Sequence, residues 1–274
     1  MKRLRRRRLR NLLATLLAMV TMVWLLDWYD LELGRRSYVS GYILWSVVVV
    51  LASLNLRKRL ATLPLGPVST WLQVHIYLGL FSGILLGVHV GWRLPNGLLE
   101  QSLFVTFMMT FVSGLSGLYL TRTAPAALAR VGQEVVYERI PVIRASLARQ
   151  SQQAVLQSVA ATGSTTLGEF YMARLYDFFV VRRSVGYMLR PTFQLRRQLM
   201  RSMRDLERYL NAEERIACER LFGMVRQKDD LDYHDARQRL LKLWIFFHIA
   251  LTCALLAVGT LHGLIAMAHR GDTL

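Results

Sequence analysis

The sequence predicts an all-α polytopic membrane protein, a helix bundle of five spans with a long cytoplasmic helical loop. Five runs approach or exceed the roughly 20 apolar residues that cross a bilayer as a helix. Hydrophobic residues make up 53% of the 274-residue chain, yet it carries 35 Lys and Arg against 18 Asp and Glu, a formal charge of +17. The two facts agree if the apolar residues sit in lipid and the basic ones in the loops. Between the fourth and fifth runs the apolar residues recur at helical spacing rather than disappearing.

The first run, Asn11 to Trp28, follows a terminus in which seven of the first ten residues are basic. That start resembles a signal peptide. The run is long for a signal peptide's apolar core and lacks a small-x-small cleavage site, so it reads as an uncleaved span. Span two runs from Tyr38 to Leu54, span three from Trp71 to Trp92, span four from Leu98 to Leu120 and span five from Leu243 to Ala268. Trp71, Trp92 and Trp244 mark span ends, where indoles favour the interface. Arg57, Lys58 and Arg59 follow span two, whereas the loop after span three holds only Arg93 and Glu100. The positive-inside rule then places the N-terminus in the cytoplasm of a bacterial inner membrane, with the short C-terminus outside. The organisation is 1–122 (spans one to four), 123–240 (cytoplasmic insertion) and 241–274 (span five and tail).

Residues 123–240 hold 19 basic and 13 acidic side chains. Leu195, Met200, Met203, Leu206 and Leu210 follow helical spacing, which predicts amphipathic helices rather than disorder. Leu175–Leu189 is apolar but interrupted by Asp177, Arg182 and Arg183, so a surface-lying helix is expected there. Cys218 falls in this polar loop and Cys253 in span five, which argues against a disulfide. There is no Cys-x-x-Cys-His for covalent haem and no zinc spacing. The positive charge lacks any nucleic-acid recognition motif and points to anionic lipid instead.

The chemistry rests on histidines. His75 and His89 lie fourteen apart in span three, and His248 and His262 fourteen apart in span five. Fourteen helical residues advance about 1400°, about 40° short of four turns, so each pair shares a face and spans about 21 Å. Spans three and five are separated by one span and so run parallel. His75 then matches His248 near the cytoplasmic side, and His89 matches His262 near the outer side. An antiparallel pair would match depths with the cross pairing; the loop charges select the parallel one. Two facing imidazoles can clamp a haem iron, and intramembrane ionisable residues usually mark function. The pattern predicts two haem b groups with these four histidines as axial ligands. Gly79, Gly83, Gly87 and Gly91 form a stripe near the histidine face; Gly79, Gly83 and Gly87 are expected to make room for porphyrin, although such stripes also serve helix packing. Gly259 and Gly263 flank His262.

Arg93 outside, and Arg122 and Lys242 inside, are candidate partners for haem propionates or ordinary flanking anchors. His234, among Asp229, Asp230, Asp232 and Asp235, is expected at the surface or in an acidic docking patch. His269 has no assigned role.

These residues resemble the di-haem b-type cytochromes. The arrangement is similar to the ferric-reductase-like transmembrane family and to the helix pair of respiratory cytochrome b subunits. The resemblance covers spans three to five and implies His75 with His248, and His89 with His262, as axial pairs. No Gly-x-Gly-x-x-Gly opens a helix, so a fused flavin or nicotinamide domain is not expected. The expected role is an electron-transfer subunit of an oxidoreductase rather than a self-contained enzyme. It would relay electrons between a redox partner docking on 123–240 and an outer-side donor or acceptor. The alternatives are a quinone-reactive haem anchor of a larger oxidoreductase and a haem-free membrane scaffold or assembly protein.

Overall fold

The computed structural model describes residues 2–33, 36–59, 67–129 and 137–269. It is an all-α membrane bundle, with no strand among the described residues. The helices are α1 (Lys2–Leu33), α2 (Arg36–Arg59), α3 (Val68–His89), α4 (Leu98–Ala129), α5 (Ile140–Thr162), α6 (Thr166–Phe170), α7 (Tyr176–Val180), α8 (Val185–Leu189), α9 (Gln194–Leu206) and α10 (Ala212–Ala268). Five of them, α1 to α4 and α10, are long and apolar enough to cross a membrane. The residues form two compact units: Met1–Tyr119 with Trp244–Leu274, and Leu120–Leu243. Helix α10 contributes 212–243 to the second unit and 244–268 to the first.

The apolar unit has a small core and a large apolar exterior. Leu26 of α1, Leu44, Val47 and Val48 of α2, Leu85 and Leu86 of α3, Phe107 of α4 and Leu255 of α10 are buried together. Leu17, Val20, Trp24, Val112, Phe246 and Leu264 point outward. Such a surface would associate in water and suits lipid. Hydroxyls in these helices donate to their own backbone, as Thr106 does to Ser102 O (2.7 Å), Thr110 to Thr106 O (2.7 Å) and Thr252 to His248 O (2.8 Å). Lipid offers no other partner, so this return bond is how a span carries a hydroxyl.

Helix α3 stops three residues short of Trp92. Gly91 and Trp92 both adopt left-handed backbone (φ 62° and 56°). Trp92 N–H donates to Gly87 O at 2.9 Å, and the indole lies against Gly87. A non-glycine residue in this region costs about 1–3 kcal/mol, a cost that the ring's seat on a helix without a side chain offsets.

The polar unit is globular. Leu167, Tyr171, Leu175, Phe178, Phe179, Leu199, Met203, Leu210, Cys218, Leu221 and Val225 form its core. Cys218 is therefore buried on a helix rather than lying in a polar loop. Leu175–Leu189 is not a surface-lying helix. A π-turn (Tyr171–Leu175), α7, a break and α8 occupy the stretch, with Leu175, Phe178 and Phe179 inside. Asn211 and Glu214 cap α10 reciprocally: Glu214 N–H donates to Asn211 Oδ1 (2.9 Å) and Asn211 N–H to Glu214 Oε2 (3.2 Å). This is a capping box with asparagine in the first position. Glu214 Oε1 also accepts from Ser164 Oγ (2.7 Å), tying the α5–α6 corner to α10.

The acidic cluster faces inward. His234 is 4% exposed, and Asp229, Asp232 and Asp235 are buried. Asp232 pairs with buried Lys228, with Arg183 (3.1 Å) and with Arg144 (3.0 Å). Asp229 pairs with Arg183 (3.0 Å) and Arg196 (3.6 Å), and Asp235 with Arg144 and Arg239 (both 3.0 Å). The cluster is thus an internal clasp joining α5, α9 and the α7–α8 break to α10, neither a surface feature nor a docking patch. Removing one member strands its partners. Asp232→Ala is expected to cost about 3–5 kcal/mol, read as a lowered thermal midpoint of the full chain in detergent. A change within about 0.5 kcal/mol, typical of surface sites, would show that the clasp contributes no stability.

Candidate functional site

The bundle brings the four histidines together in two pairs. His75 of α3 and His248 of α10 have ring centres 6.3 Å apart, with planes at 75°. His89 of α3 and His262 of α10 line one cavity of about 720 Å³. The fourteen-residue spacing separates the two levels by about 21 Å along each helix.

Neighbouring helices orient the rings. Leu51 O of α2 is 3.1 Å from His75 Nδ1. A carbonyl only accepts, so Nδ1 carries the proton and the lone pair of the neutral ring is on Nε2. Ser40 of α2 leads to the same tautomer at His89. Its hydroxyl donates to Ser37 O (3.1 Å) and lies 3.0 Å from His89 Nδ1. With its single hydrogen engaged, Ser40 Oγ accepts from Nδ1–H, and Nε2 is again the basic nitrogen. A second hydrogen bond of this kind is the usual device that aims an imidazole at a metal.

Ser113 of α4 serves the lower level twice. Its carbonyl accepts from Trp244 Nε1–H (2.8 Å), and its hydroxyl is 3.2 Å from His248 Nδ1. Trp244 stacks on His248 at 5.6 Å between ring centres. Gly117 makes room for that indole, since a Cβ there would collide with it. On α2, a Cβ on Gly41 would stand 3.0 Å from His89 Cε1.

The glycine stripe of α3 divides. A Cβ on Gly79 would meet nothing within 4 Å, so open space lies beside the helix one turn above His75. A Cβ on Gly83 would stand 2.7 Å from the Phe111 ring, and one on Gly87 2.8 Å from Trp92. Those two glycines are already filled by aromatic side chains and serve packing; Gly79 alone of the three faces room. On α10, Gly263 also faces open space, and both Gly259 and Gly263 line the outer cavity.

That cavity is lined mainly by apolar and aromatic side chains, including Tyr42, Trp45, Phe104 and Leu255, with Arg93 and Glu100 at its polar margin. Its volume falls within the range of about 300–1,000 Å³ usual for small-molecule and cofactor sites. Arg122 is exposed, and Lys242 lies over the Tyr137 ring (3.6 Å) and 3.8 Å from Glu138, so it is already engaged.

The ring spacing has a chemical meaning. Two imidazole nitrogens facing one metal at about 2.0–2.1 Å, each roughly 1.1 Å from its ring centre, would set the centres about 6.3 Å apart. His75 and His248 have that separation. Sequence reading finds the histidines but not Ser40, Gly41, Leu51, Ser113, Gly117 or the stacked role of Trp244. The only trace of these is a cluster of small residues, Ser113-Gly114 and Ser116-Gly117, at the depth of His248.

No family model matches the chain, and neither the curated proteins nor the solved structures contain a match.

The divided stripe is testable by thermal unfolding in detergent. Gly83→Ala is expected to destabilise by about 1–3 kcal/mol through overpacking on Phe111. Gly79→Ala is expected to be neutral or stabilising by up to about 1 kcal/mol, because helix propensity improves and nothing is displaced. Equal losses at the two positions would contradict the assignment.

Proposed function

We propose that this chain is a di-haem b-type cytochrome that relays electrons across a bacterial inner membrane. Its partners are a redox protein on the cytoplasmic side and a donor or acceptor outside. The observation that carries the reading is the spacing of the His75 and His248 rings, 6.3 Å between centres, with His89 and His262, fourteen residues further along the same two helices, lining one cavity.

Each level offers two imidazoles, and among the described residues no group of three or more His, Cys, Asp or Glu side chains gathers to hold a metal. Two imidazoles at each level would suit haem iron, whose other ligands the porphyrin would supply. When bound, haem would supply one-electron redox chemistry, and the two histidines at each level would hold it for electron transfer rather than for substrate binding. The chain's residues hold and tune the group. His75 and His248 ligate at the inner level, and His89 and His262 at the outer. Leu51 O and Ser40 raise the basicity of their histidines. Gly79 and Gly263 leave space for a flat ring. Arg93 is positioned to meet a carboxylate at the outer margin.

Orientation is part of the proposal. Basic residues at 2–10 and 57–59, against a nearly uncharged loop after α3, favour a cytoplasmic N-terminus and a cytoplasmic polar unit. Membrane lipid is then the bundle's solvent.

A pyridine haemochrome assay on the purified chain is expected to give two b haems. His89→Ala and His262→Ala should each remove the same one, and His75→Ala and His248→Ala the other. Two haems surviving in any of these variants would break the pairing, and a chain without a Soret band after expression with haem supply would sink the cytochrome reading. Ser40→Ala is expected to keep both haems yet raise the midpoint potential of the outer one alone, because a less basic imidazole favours the reduced state. An unchanged potential would remove Ser40 from the site.

A further inference from the structure

We infer that the polar unit docks an acidic protein on a stripe of arginines along α9. Arg197, Arg201, Arg204 and Arg208 recur at intervals of four, three and four along α9 and the 3₁₀ turn Glu207–Tyr209 that extends it. Eleven helical residues turn about 1100°, so the four share a face about 16 Å long. All four are exposed. Arg204 Nε–H donates to Met200 O at 3.3 Å, and among the described residues none of the other three forms an ion pair. Asp205 and Glu207 are the acidic residues beside them in sequence.

The contrast with the rest of the unit gives the stripe its meaning. Asp229, Asp232 and Asp235 are buried in the clasp, so much of the unit's negative charge does not reach its surface. Arg196, the helical neighbour of the stripe, turns inward to Asp229 and Asp230, while Arg197 faces out. One face of α9 is therefore structural, and the other displays arginines that form no ion pair among the described residues.

Three kinds of anionic surface could meet such a face. A lipid surface gains most from a helix that also inserts apolar side chains, but Leu199 and Met203 of α9 are buried in the core. Nucleic acid is read by recognition motifs or by series of stacked aromatic rings, and the stripe has no such motif and a single exposed ring beside it, Tyr209. Arginine and tyrosine are the residues enriched at protein interfaces. Here Tyr209 (76% exposed) and Leu195 (38% exposed) bracket the arginines. Guanidinium groups also match carboxylates in two-point fashion. The occupant that fits is a carboxylate-rich protein surface. That this protein is an electron carrier rests on the function proposed above; the docking face itself does not.

The test uses the full chain in nanodiscs of phosphatidylcholine. Two purified acidic carriers, a flavodoxin and a plant-type ferredoxin, serve as probes, with binding followed by fluorescence anisotropy. At least one should bind, and its affinity should fall as salt shortens the screening length. Arg201→Glu with Arg208→Glu is expected to weaken binding about tenfold or more. Arg174→Glu with Arg226→Glu, an equal charge change at exposed positions off the stripe, should leave it within about threefold. If the glutamate pair disturbs folding by circular dichroism, Arg201→Gln with Arg208→Gln takes its place, with the same direction expected. Neither probe binding, or equal losses in the control pair, would overturn the proposal. So would stripe-dependent capture of phosphatidylglycerol vesicles in place of the carriers. Binding is read without haem, so a haem-free chain that still binds through the stripe would end the electron-relay reading and leave the docking face standing.

Discussion

In hydrocarbon, a peptide N–H or C=O finds no water, and leaving one unpaired costs several kcal/mol. That constraint allows the apolar unit nothing but helices, and the rest follows from helical geometry. A helix converts sequence spacing into depth and facing. Fourteen residues become two levels on one face of α3, and the same interval on α10 becomes the same two levels. The pairing of His75 with His248 and of His89 with His262 thus depends on the backbone hydrogen bonds of α3 and α10 rather than on any bond of the histidine rings. It also explains why hydroxyls in these helices bond back to their own turns, as Ser40 does while also meeting His89 Nδ1.

Polar groups in such an interior act mainly by fixing orientation. Ser40, Leu51 O and Ser113 each come from α2 or α4, so the helices that carry no histidine hold the rings of those that do. Small residues complete the arrangement: Gly41 admits His89, and Gly117 admits the indole that stacks on His248. The site is therefore a property of the whole bundle, although its four central side chains lie on two helices.

Much of this was legible in the sequence and some was not, for physical reasons. Long apolar runs and fourteen-residue intervals are local, strong signals, and α1 to α4 lie close to where hydropathy places them. The partners of the histidines are 24, 49 and 135 residues away in sequence, and serine is too common in spans to mark itself. The glycine stripe was ambiguous because a missing Cβ admits either a cofactor or a neighbouring ring; Phe111 and Trp92 decide the matter at Gly83 and Gly87. Asp229–Asp235 misled because a charged run looks alike whether solvated or clasped. The deciding groups, Arg144, Arg183 and Arg196, come from other helices. Leu175–Leu189 misled in the same way, since Arg182 and Arg183 fall at a break and Arg183 turns inward from it.

The clasp also fixes how the polar unit responds to its surroundings. The unit buries titratable carboxylates against guanidinium groups and leaves guanidinium groups outside. Guanidinium does not lose its proton in proteins. The exterior charge of α9 is thus constant across the physiological pH range, and acidification or alkalinisation leaves its attraction unchanged. A surface built on histidine or on exposed aspartate would behave as a proton gauge. This one keeps its sign as the pH around it changes.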